Sequence, residues 1–167
     1  MYKKDRCLPF ILTLGVILAD QLTKWLITVL IPINGIGASF MGGFLRIIHA
    51  RNTAIAFSIG TDMAQWLKII LFSAIPLIIL GIIAVYLLKT DSLTGLQRWS
   101  ACGILGGGIG NLVDRIFRPL GVVDFIDVKF YGLFGLDRWP TFNVADAAIV
   151  ICGFLLAISF LGSKKIS

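Results

Sequence analysis

Long apolar segments constrain the fold of this 167-residue chain more than any other feature. A bilayer core about 30 Å thick needs about 20 mostly apolar residues in a helix. Residues 8–31, 66–88 and 142–161 meet that requirement. Residues 99–117 are apolar over their first two-thirds and rich in glycine, and we interpret them as a further span because they connect two segments that each need one. The sequence therefore predicts an all-α membrane protein with four transmembrane helices.

The segments between these spans differ in character. Residues 32–65 contain an alternating, β-branched run between glycine-rich turns, which predicts a short sheet at the membrane surface. Residues 118–140 combine glycine and proline with aromatic side chains that suit a membrane–water interface. We expect a single integral-membrane domain over residues 1–167, with the small sheet between spans 1 and 2.

The distribution of charge indicates orientation and not nucleic-acid binding. The net charge is +6, but 57% of the residues are hydrophobic and 14% are charged. Basic residues precede the first span, flank the loop after the second and follow the last, so the positive-inside rule predicts both termini in the cytoplasm. Loops 32–65 and 118–140, which are then extracytoplasmic, contain together with their flanks as many basic residues, at lower density. The basic residues on the predicted cytoplasmic side are Lys3, Lys4, Arg6, Lys89, Arg98, Lys164 and Lys165.

Neither the first apolar segment nor the cysteines indicate processing or cross-linking. The first segment has the basic start of a signal peptide but no small-x-small cleavage site, so we expect it to remain as a span. The three cysteines are an odd number, and two lie inside predicted spans. We therefore expect Cys7, Cys102 and Cys152 to be free thiols that behave as small apolar residues.

All nine acidic residues of the chain are aspartates, and three of them, Asp20, Asp114 and Asp146, lie in predicted spans. Asp20 lies in the first span, with Lys24 four residues later on the same helix face. Charges at that depth usually face a bundle interior or a cavity, so this pair fits a structural or a functional role equally. In the third span, glycines four residues apart predict close helix packing. Asp114 and Arg115 fit a salt bridge at the helix end, whereas Asn111 favours a function.

Two further motifs place aspartates near the outer ends of the spans. Asp124 and Asp127 are three residues apart in a strand-like run, so they should face opposite sides and not share one site. Asn143 and Asp146 begin the last apolar segment, where Asn143 could cap the helix and Asp146 would gain from the helix dipole. Helix capping alone would therefore be enough to explain why Asn143 and Asp146 occur here. However, Asp124 and Asp146 map to the same side, together with Asn111 and Asn143.

Two neighbouring carboxylates can perform hydrolysis without further groups. Since like charges a few ångströms apart do not both ionise, such a pair shares one proton. The ionised member can act as general base on water, and the protonated member as general acid. This is the chemistry of aspartic proteases, and the titration of a coupled pair does not say which residue holds the proton.

Five sequence blocks in order resemble the signature blocks of bacterial lipoprotein signal peptidase (signal peptidase II): DQLTK, RNTAIAFS, GGIGNLVDR, VVDFID and PTFNVAD. The resemblance implies a four-span aspartic endopeptidase of the bacterial cytoplasmic (inner) membrane, with both termini cytoplasmic. It also implies an extracytoplasmic β-cradle between spans 1 and 2 and an active site near the outer surface.

The resemblance further implies removal of signal peptides from prolipoproteins, with cleavage before a cysteine that carries diacylglycerol. Its catalytic aspartates fall on Asp124 and Asp146, which would use one water and no metal or cofactor. We expect membrane lipids and globomycin-type inhibitors as further partners, no nucleic acid, and a monomer. Ala54 replaces a glycine usual in the family, which suggests a different backbone path near Asn52. The residues expected to bind substrate or support the dyad are Asp20, Lys24, Asn52, Asn111, Asp114, Arg115 and Asn143.

Two other classes of protein also place aspartates in or near a membrane. A magnesium-dependent lipid phosphotransferase would use Asp114, Asp124, Asp127 and Asp146 as oxygen ligands, although the chain has no tight run of acids for two metals. A proton-coupled transporter would use intramembrane aspartates as a relay. The predicted crowding of the carboxylates on one surface favours the peptidase over the transporter, and activity in a chelator separates it from the phosphotransferase.

Overall fold

Four long helices form the framework of the part of the chain that the computed structural model describes, which is residues 6–52, 64, 67 and 70–163. They are α1 (Phe10–Leu30), α2 (Ile75–Lys89), α3 (Gly95–Phe117) and α4 (Val144–Ser163), and a π-helical segment, Ile70–Ala74, leads into α2. Within these residues, three helical stretches are long and apolar enough to cross a membrane: Phe10–Leu30, Ile70–Lys89 and Val144–Leu161.

Helix α3 is the central helix, which explains why its composition differs from that of the others. It packs against α1, α2 and α4. The predicted glycine contacts are confirmed: a Cβ atom at Gly106 would lie 2.8 Å from the Thr13 carbonyl oxygen, and one at Gly107 would lie 2.4 Å from the Ala145 carbonyl oxygen. Because its neighbours surround it, α3 can contain polar side chains that a lipid-exposed helix could not.

The sheet has three antiparallel strands in the order β1 (Ile36–Phe40), β2 (Leu45–Asn52) and β3 (Val122–Val128). The expected sheet between the first two spans is therefore incomplete, because β3 comes from the segment between α3 and α4. A two-stranded hairpin is marginal alone, and a third strand gives the sheet an apolar face that can be buried. Val123 and Phe125 of β3 pack with Ile47 of β2 against the end of α1, at Ile27 and Ile31.

Strand β3 also positions the beginning of α4. The amides of Phe125 and Ile126 donate to the Phe142 carbonyl oxygen at 3.0 and 2.8 Å, and the Phe142 amide donates to Ile126 at 3.1 Å. The first turn of α4 is thereby fixed beside Asp124. Ala54, the residue that departs from the expected family pattern, lies outside the described residues, whereas Asn52 is the last residue of β2.

Candidate active site

A cavity of about 560 Å³ lies where α2, α3 and α4 meet the sheet. Its polar wall includes Asn52, Asn111, Arg115, Asp124 and Asp146, and its apolar wall includes Pro76, Ile79, Leu80 and Ile149. The structure thus brings both aspartates of the predicted dyad to one cavity.

Asp124 is a buried carboxylate whose hydrogen-bond donors are neutral. It is 3% exposed. One oxygen, Oδ1, accepts from Asn143 Nδ2 at 2.7 Å, and Oδ2 accepts from Asn52 Nδ2 at 3.1 Å. Burial raises the pKa of Asp124 to about 6, and the nearby charge of Asp146 acts in the same direction, whereas the two amide donors oppose the rise.

Asp146 lies in the first turn of α4 and is half-buried at the cavity wall. Its Oδ1 accepts from Asn111 Nδ2 at 2.7 Å, and its Oδ2 accepts from the Asn143 amide at 3.2 Å. The Asp146 amide in turn donates to Asn143 Oδ1 at 3.0 Å. This reciprocal pair confirms the predicted helix cap. The capping role leaves Asp146 on the cavity, so the structural and functional interpretations are compatible.

A buried lysine determines how the two asparagine side chains are oriented. Lys24 Nζ donates to Asn111 Oδ1 at 3.0 Å, and an ammonium group can only donate. The Asn111 oxygen must therefore face Lys24, and its amide nitrogen faces Asp146. Asn143 Nδ2 also donates to Asn111 Oδ1, at 3.1 Å, and reaches Asp124 with the same nitrogen. Lys24 thus directs amide donors toward both carboxylates.

Asp20 and Asp114 hold this lysine and connect it to the backbone of the site. Lys24 Nζ lies 2.8 Å from Asp20 Oδ2 and 3.1 Å from Asp114 Oδ2, and none of the three side chains is exposed. Asp20 Oδ1 accepts from the Ala145 amide at 3.0 Å, and Asp114 Oδ2 accepts from the Val123 amide at 3.0 Å. Each of these carboxylates therefore fixes the residue that immediately precedes one of the two cavity aspartates, Asp146 or Asp124.

The predicted salt bridge between Asp114 and Arg115 is wrong. Asp114 pairs with Lys24 and with Arg118, whose Nε lies 3.0 Å from Asp114 Oδ1. Neighbouring residues on a helix point in different directions, whereas residues four apart share a face. Arg115 is consequently directed to the cavity wall.

Asp127 faces away from the cavity side, as the strand alternation predicts. Its carboxylate lies 2.5 Å from Arg46 Nη2 and 2.5 Å from Arg138 Nε. Of the four aspartates that a magnesium site would need, only Asp124 and Asp146 line the cavity, whereas Asp114 and Asp127 form ion pairs elsewhere. Within the described ranges, no group of three or more histidine, cysteine or acidic residues could hold a metal ion.

Sequence reasoning missed two supporting residues. Gln21 Nε2 donates to Asp114 Oδ1 at 3.1 Å and to the Gly110 carbonyl at 3.0 Å, and Arg118 completes the partners of Asp114. The spacing of four residues from Asp114 to Arg118 was a usable signal. Gln21 lies in the DQLTK block, but the sequence gives no indication of its contact with α3.

Comparison with known proteins gives consistent results. A family model described as Signal peptidase (SPase) II matches residues 12–162. The chain is 46% identical to a lipoprotein signal peptidase of Treponema pallidum (strain Nichols) over 163 residues, which cover 98% of this chain and 88% of the relative. It is 48% identical to the lipoprotein signal peptidase of Borrelia garinii subsp. bavariensis over 158 residues, which cover 94% of this chain and 92% of the relative.

A solved structure of a bacterial membrane enzyme, obtained by the in meso method, is also similar. It has a TM-score of 0.79 and 28% sequence identity, and the alignment covers 94% of this chain and 89% of that chain.

Proposed function

Since this chain belongs to the signal peptidase II family and is a protease, we propose that it removes signal peptides from diacylglyceryl-modified prolipoproteins. It cuts before the lipidated cysteine, and Asp124 and Asp146 act as the catalytic dyad with one water. The observation that carries this proposal is the cavity that both carboxylates line, where the amides of Asn111 and Asn143 join them.

In this proposal the two aspartates have different roles because their surroundings differ. Asp124, with its pKa raised to about 6 by burial, is the member that holds a proton more readily and serves as general acid. Asp146 lies on the cavity wall, where its carboxylate accepts hydrogen bonds from the Asn111 side chain and the Asn143 amide. Asp146 therefore serves as general base.

The reaction balances with these two groups alone. Asp146 takes one proton from water as the water oxygen attacks the scissile carbonyl carbon, and Asp124 gives its proton to the carbonyl oxygen. A proton then passes from Asp146 to the leaving nitrogen, and the carbon–nitrogen bond breaks. As the carbonyl forms again, its proton returns to Asp124, which restores the initial state of the dyad.

The other polar residues of the cavity would hold the substrate and the dyad. Arg115 and Asn52 can bind carbonyl oxygens of the extended peptide, and Asn52 also donates to Asp124. Asn111 and Asn143, oriented by the cluster of Asp20, Lys24 and Asp114, hold the carboxylates in place. The apolar wall formed by α2 and α4 suits the lipid-bearing and hydrophobic parts of the substrate, and globomycin-type inhibitors would bind in the same cavity.

The proposed topology has α3 as a fourth span, with both termini in the cytoplasm and the cavity at the extracytoplasmic surface of the inner membrane. The 23 residues of α3 extend about 35 Å at 1.5 Å per residue, enough to cross the bilayer. Its packing against the three apolar helices shields its polar residues from lipid. In this proposal the protein acts as a monomer and as a single domain.

The test is cleavage of a diacylglyceryl-modified prolipoprotein by the purified protein in detergent with EDTA, followed by gel shift. We expect cleavage by the unsubstituted protein and by Asp137→Asn, an exposed control in the loop before α4. Asp146→Asn should be inactive because an amide cannot serve as the base.

Equal cleavage by Asp146→Asn would return that residue to a capping role alone. If EDTA abolishes cleavage and added magnesium restores it, the aspartates would instead form a magnesium site, as in the phosphotransferase alternative.

A further inference from the structure

Three bulky residues outside the active site adopt a backbone conformation that they seldom occupy. Met41, Tyr131 and Phe134 have φ values of 51°, 53° and 55°, in the left-handed region. For large side chains this region is uncommon, and such conformations persist where the surrounding structure imposes them. These three side chains are also 81%, 70% and 82% exposed. These three residues therefore combine an unfavourable backbone conformation with a large, exposed apolar side chain.

The two turns that contain these residues form one surface, which we call the turn patch: Met41, Phe44, Tyr131, Leu133 and Phe134. The rings of Phe44 and Tyr131 stack with their centres 6.4 Å apart. The Lys129 amide donates to the Phe44 carbonyl oxygen at 2.7 Å, and Arg138 donates to the Gly43 carbonyl oxygen at 3.2 Å. These backbone contacts fix the turns relative to each other, so the turn patch is built into the sheet.

Strand β1 joins the end of α1 to the turn patch: its Gly37 packs against Ile31, the residue after α1, and its last residue, Phe40, directly precedes Met41. Val29 and Leu30, at the end of this apolar helix, are 62% and 72% exposed, and Ile36 and Phe40 of β1 are 57% and 49% exposed. Strand β1 is the edge of the sheet, where exposed apolar residues in water would invite association. Contiguous apolar surface of this kind indicates a binding surface.

We propose that the turn patch and the edge strand β1 lie in the interfacial layer of the bilayer. Continuity with the lipid-facing end of α1 identifies lipid as the occupant. The composition agrees, since aromatic side chains concentrate at membrane–water interfaces. Lys129 Nζ lies 5.2 Å from the centre of the Tyr131 ring, so the ammonium group can reach headgroup phosphates while the ring is in the interface.

This arrangement would support the sheet at both ends. Strands β2 and β3 run from the turn patch, at Leu45 and Val128, to the cavity, at Asn52 and Asp124. Contact of the far end with lipid would hold the cavity at a constant depth, where a lipid-anchored peptide can enter laterally. The inference rests on membrane embedding of the helices and not on the catalytic role of the dyad, so each can fail without the other.

The test measures the depth of the turn patch in vesicles with the full chain. Phe134→Cys, made in a Cys7→Ser background and labelled with a water-soluble, environment-sensitive maleimide dye, is reconstituted in phosphatidylcholine–phosphatidylglycerol vesicles. Cys102 is buried, and Cys152 lies within the apolar helix α4, so neither competes for the dye. The matched control is Asp137→Cys, an exposed polar position in the same loop.

We expect the dye at position 134 to have blue-shifted emission and to be quenched several-fold more than the dye at 137 by a lipid with a nitroxide near its headgroup. Equal, water-like emission and equal quenching at both positions would overturn the proposal. A blue shift that is independent of the nitroxide lipid but rises with the protein-to-lipid ratio would also overturn it, in favour of contact with a second copy. Retained cleavage activity in detergent verifies that each labelled variant is folded.

Discussion

Strand β3 contains two buried aspartates, three residues apart, that have opposite surroundings. Asp127 is 2% exposed and lies within 2.5 Å of two guanidinium groups, those of Arg46 and Arg138. Asp124 is 3% exposed and accepts hydrogen bonds from the amides of Asn52 and Asn143, with a second carboxylate nearby. Since burial is nearly the same, the difference between the two residues lies in their partners.

The comparison indicates how one strand can give two buried carboxylates different surroundings, one in an ion pair and one with amide partners. The carboxylate of Asp127 is held between two guanidinium groups, which occupy both of its oxygens. Amide partners position the carboxylate but do not neutralise it, so burial raises the pKa of Asp124 to about 6. The same strand thereby supports an ion pair on one face and, on the other, the carboxylate that we propose as the general acid.

The largest expected effect is on catalysis. Asp124→Asn should lower the rate of prolipoprotein cleavage by about 1000-fold, because it removes the proposed general acid. Asp127→Asn should retain most of its cleavage rate per folded molecule, measured in detergent after the folded fraction has been isolated by size-exclusion chromatography. Similar losses in both variants would break the comparison.

The next effect is on stability, with opposite signs for the two residues. Asp127→Asn leaves two guanidinium groups without their carboxylate and should lower the free energy of unfolding by about 2 kcal/mol. Asp124 has a folded pKa raised from 3.8 to about 6, so its contribution is favourable below pH 4 and is lost as pH rises through 6. At pH 8, Asp124→Asn should therefore be more stable than the unsubstituted protein, by up to about 3 kcal/mol.

Unfolding in mixed detergent and SDS at pH 4.5 and pH 8, values chosen to lie on either side of about 6, measures both effects. The gain from Asp124→Asn should shrink at the lower pH. A gain that is independent of pH would mean that burial of the Asp124 charge is not its cause.

The pH dependence of cleavage sharpens the same contrast. If Asp124 acts as the protonated member, the cleavage rate should fall about tenfold for each pH unit above the pKa of about 6. Asn52→Ala removes a donor that lowers this pKa, so its descending limb should move to higher pH. An unchanged limb in Asn52→Ala would show that the limb reports another group.

The smallest effect on stability is expected when only one of the two arginines that pair with Asp127 is replaced. Arg138→Gln leaves Asp127 paired with Arg46 and should cost less than about 1 kcal/mol of stability, because Arg138 is partly exposed. Cleavage at any pH should be unchanged. A shifted pH profile in Arg138→Gln, measured with the same substrate, would show that the charges around Asp127 affect the titration of the group on the other face of β3.

Local patterns in the sequence predicted a large part of this arrangement. Alternation along β3 placed Asp124 and Asp127 on opposite sides, and glycine spacing predicted the close packing of α3. The sequence blocks predicted the family, which is confirmed. The assignment of Asp124 and Asp146 as the dyad remains a proposal.

Contacts between distant segments could not be predicted in the same way. The pairing of β3 with β2 joins residues more than 70 positions apart, such as Ala50 and Asp124, and no local period encodes it. The partner of Asp114 was misassigned for a related reason: Lys24 comes from another helix. The raised pKa of Asp124 depends on burial, which exists only once these segments have assembled.

Asn143 and Asp146 form reciprocal hydrogen bonds in the first turn of α4. The geometry of the whole site therefore depends on whether this one turn of helix stays formed. Asn143 starts α4 and also donates to Asp124, so fraying of that turn would displace Asp146 and release Asp124 together. If Asp124 and Asp146 form the catalytic dyad, cleavage activity should therefore be lost at a lower temperature than the one at which the helices unfold. Activity would report the integrity of a single turn, and cooling would restore it without refolding of the protein.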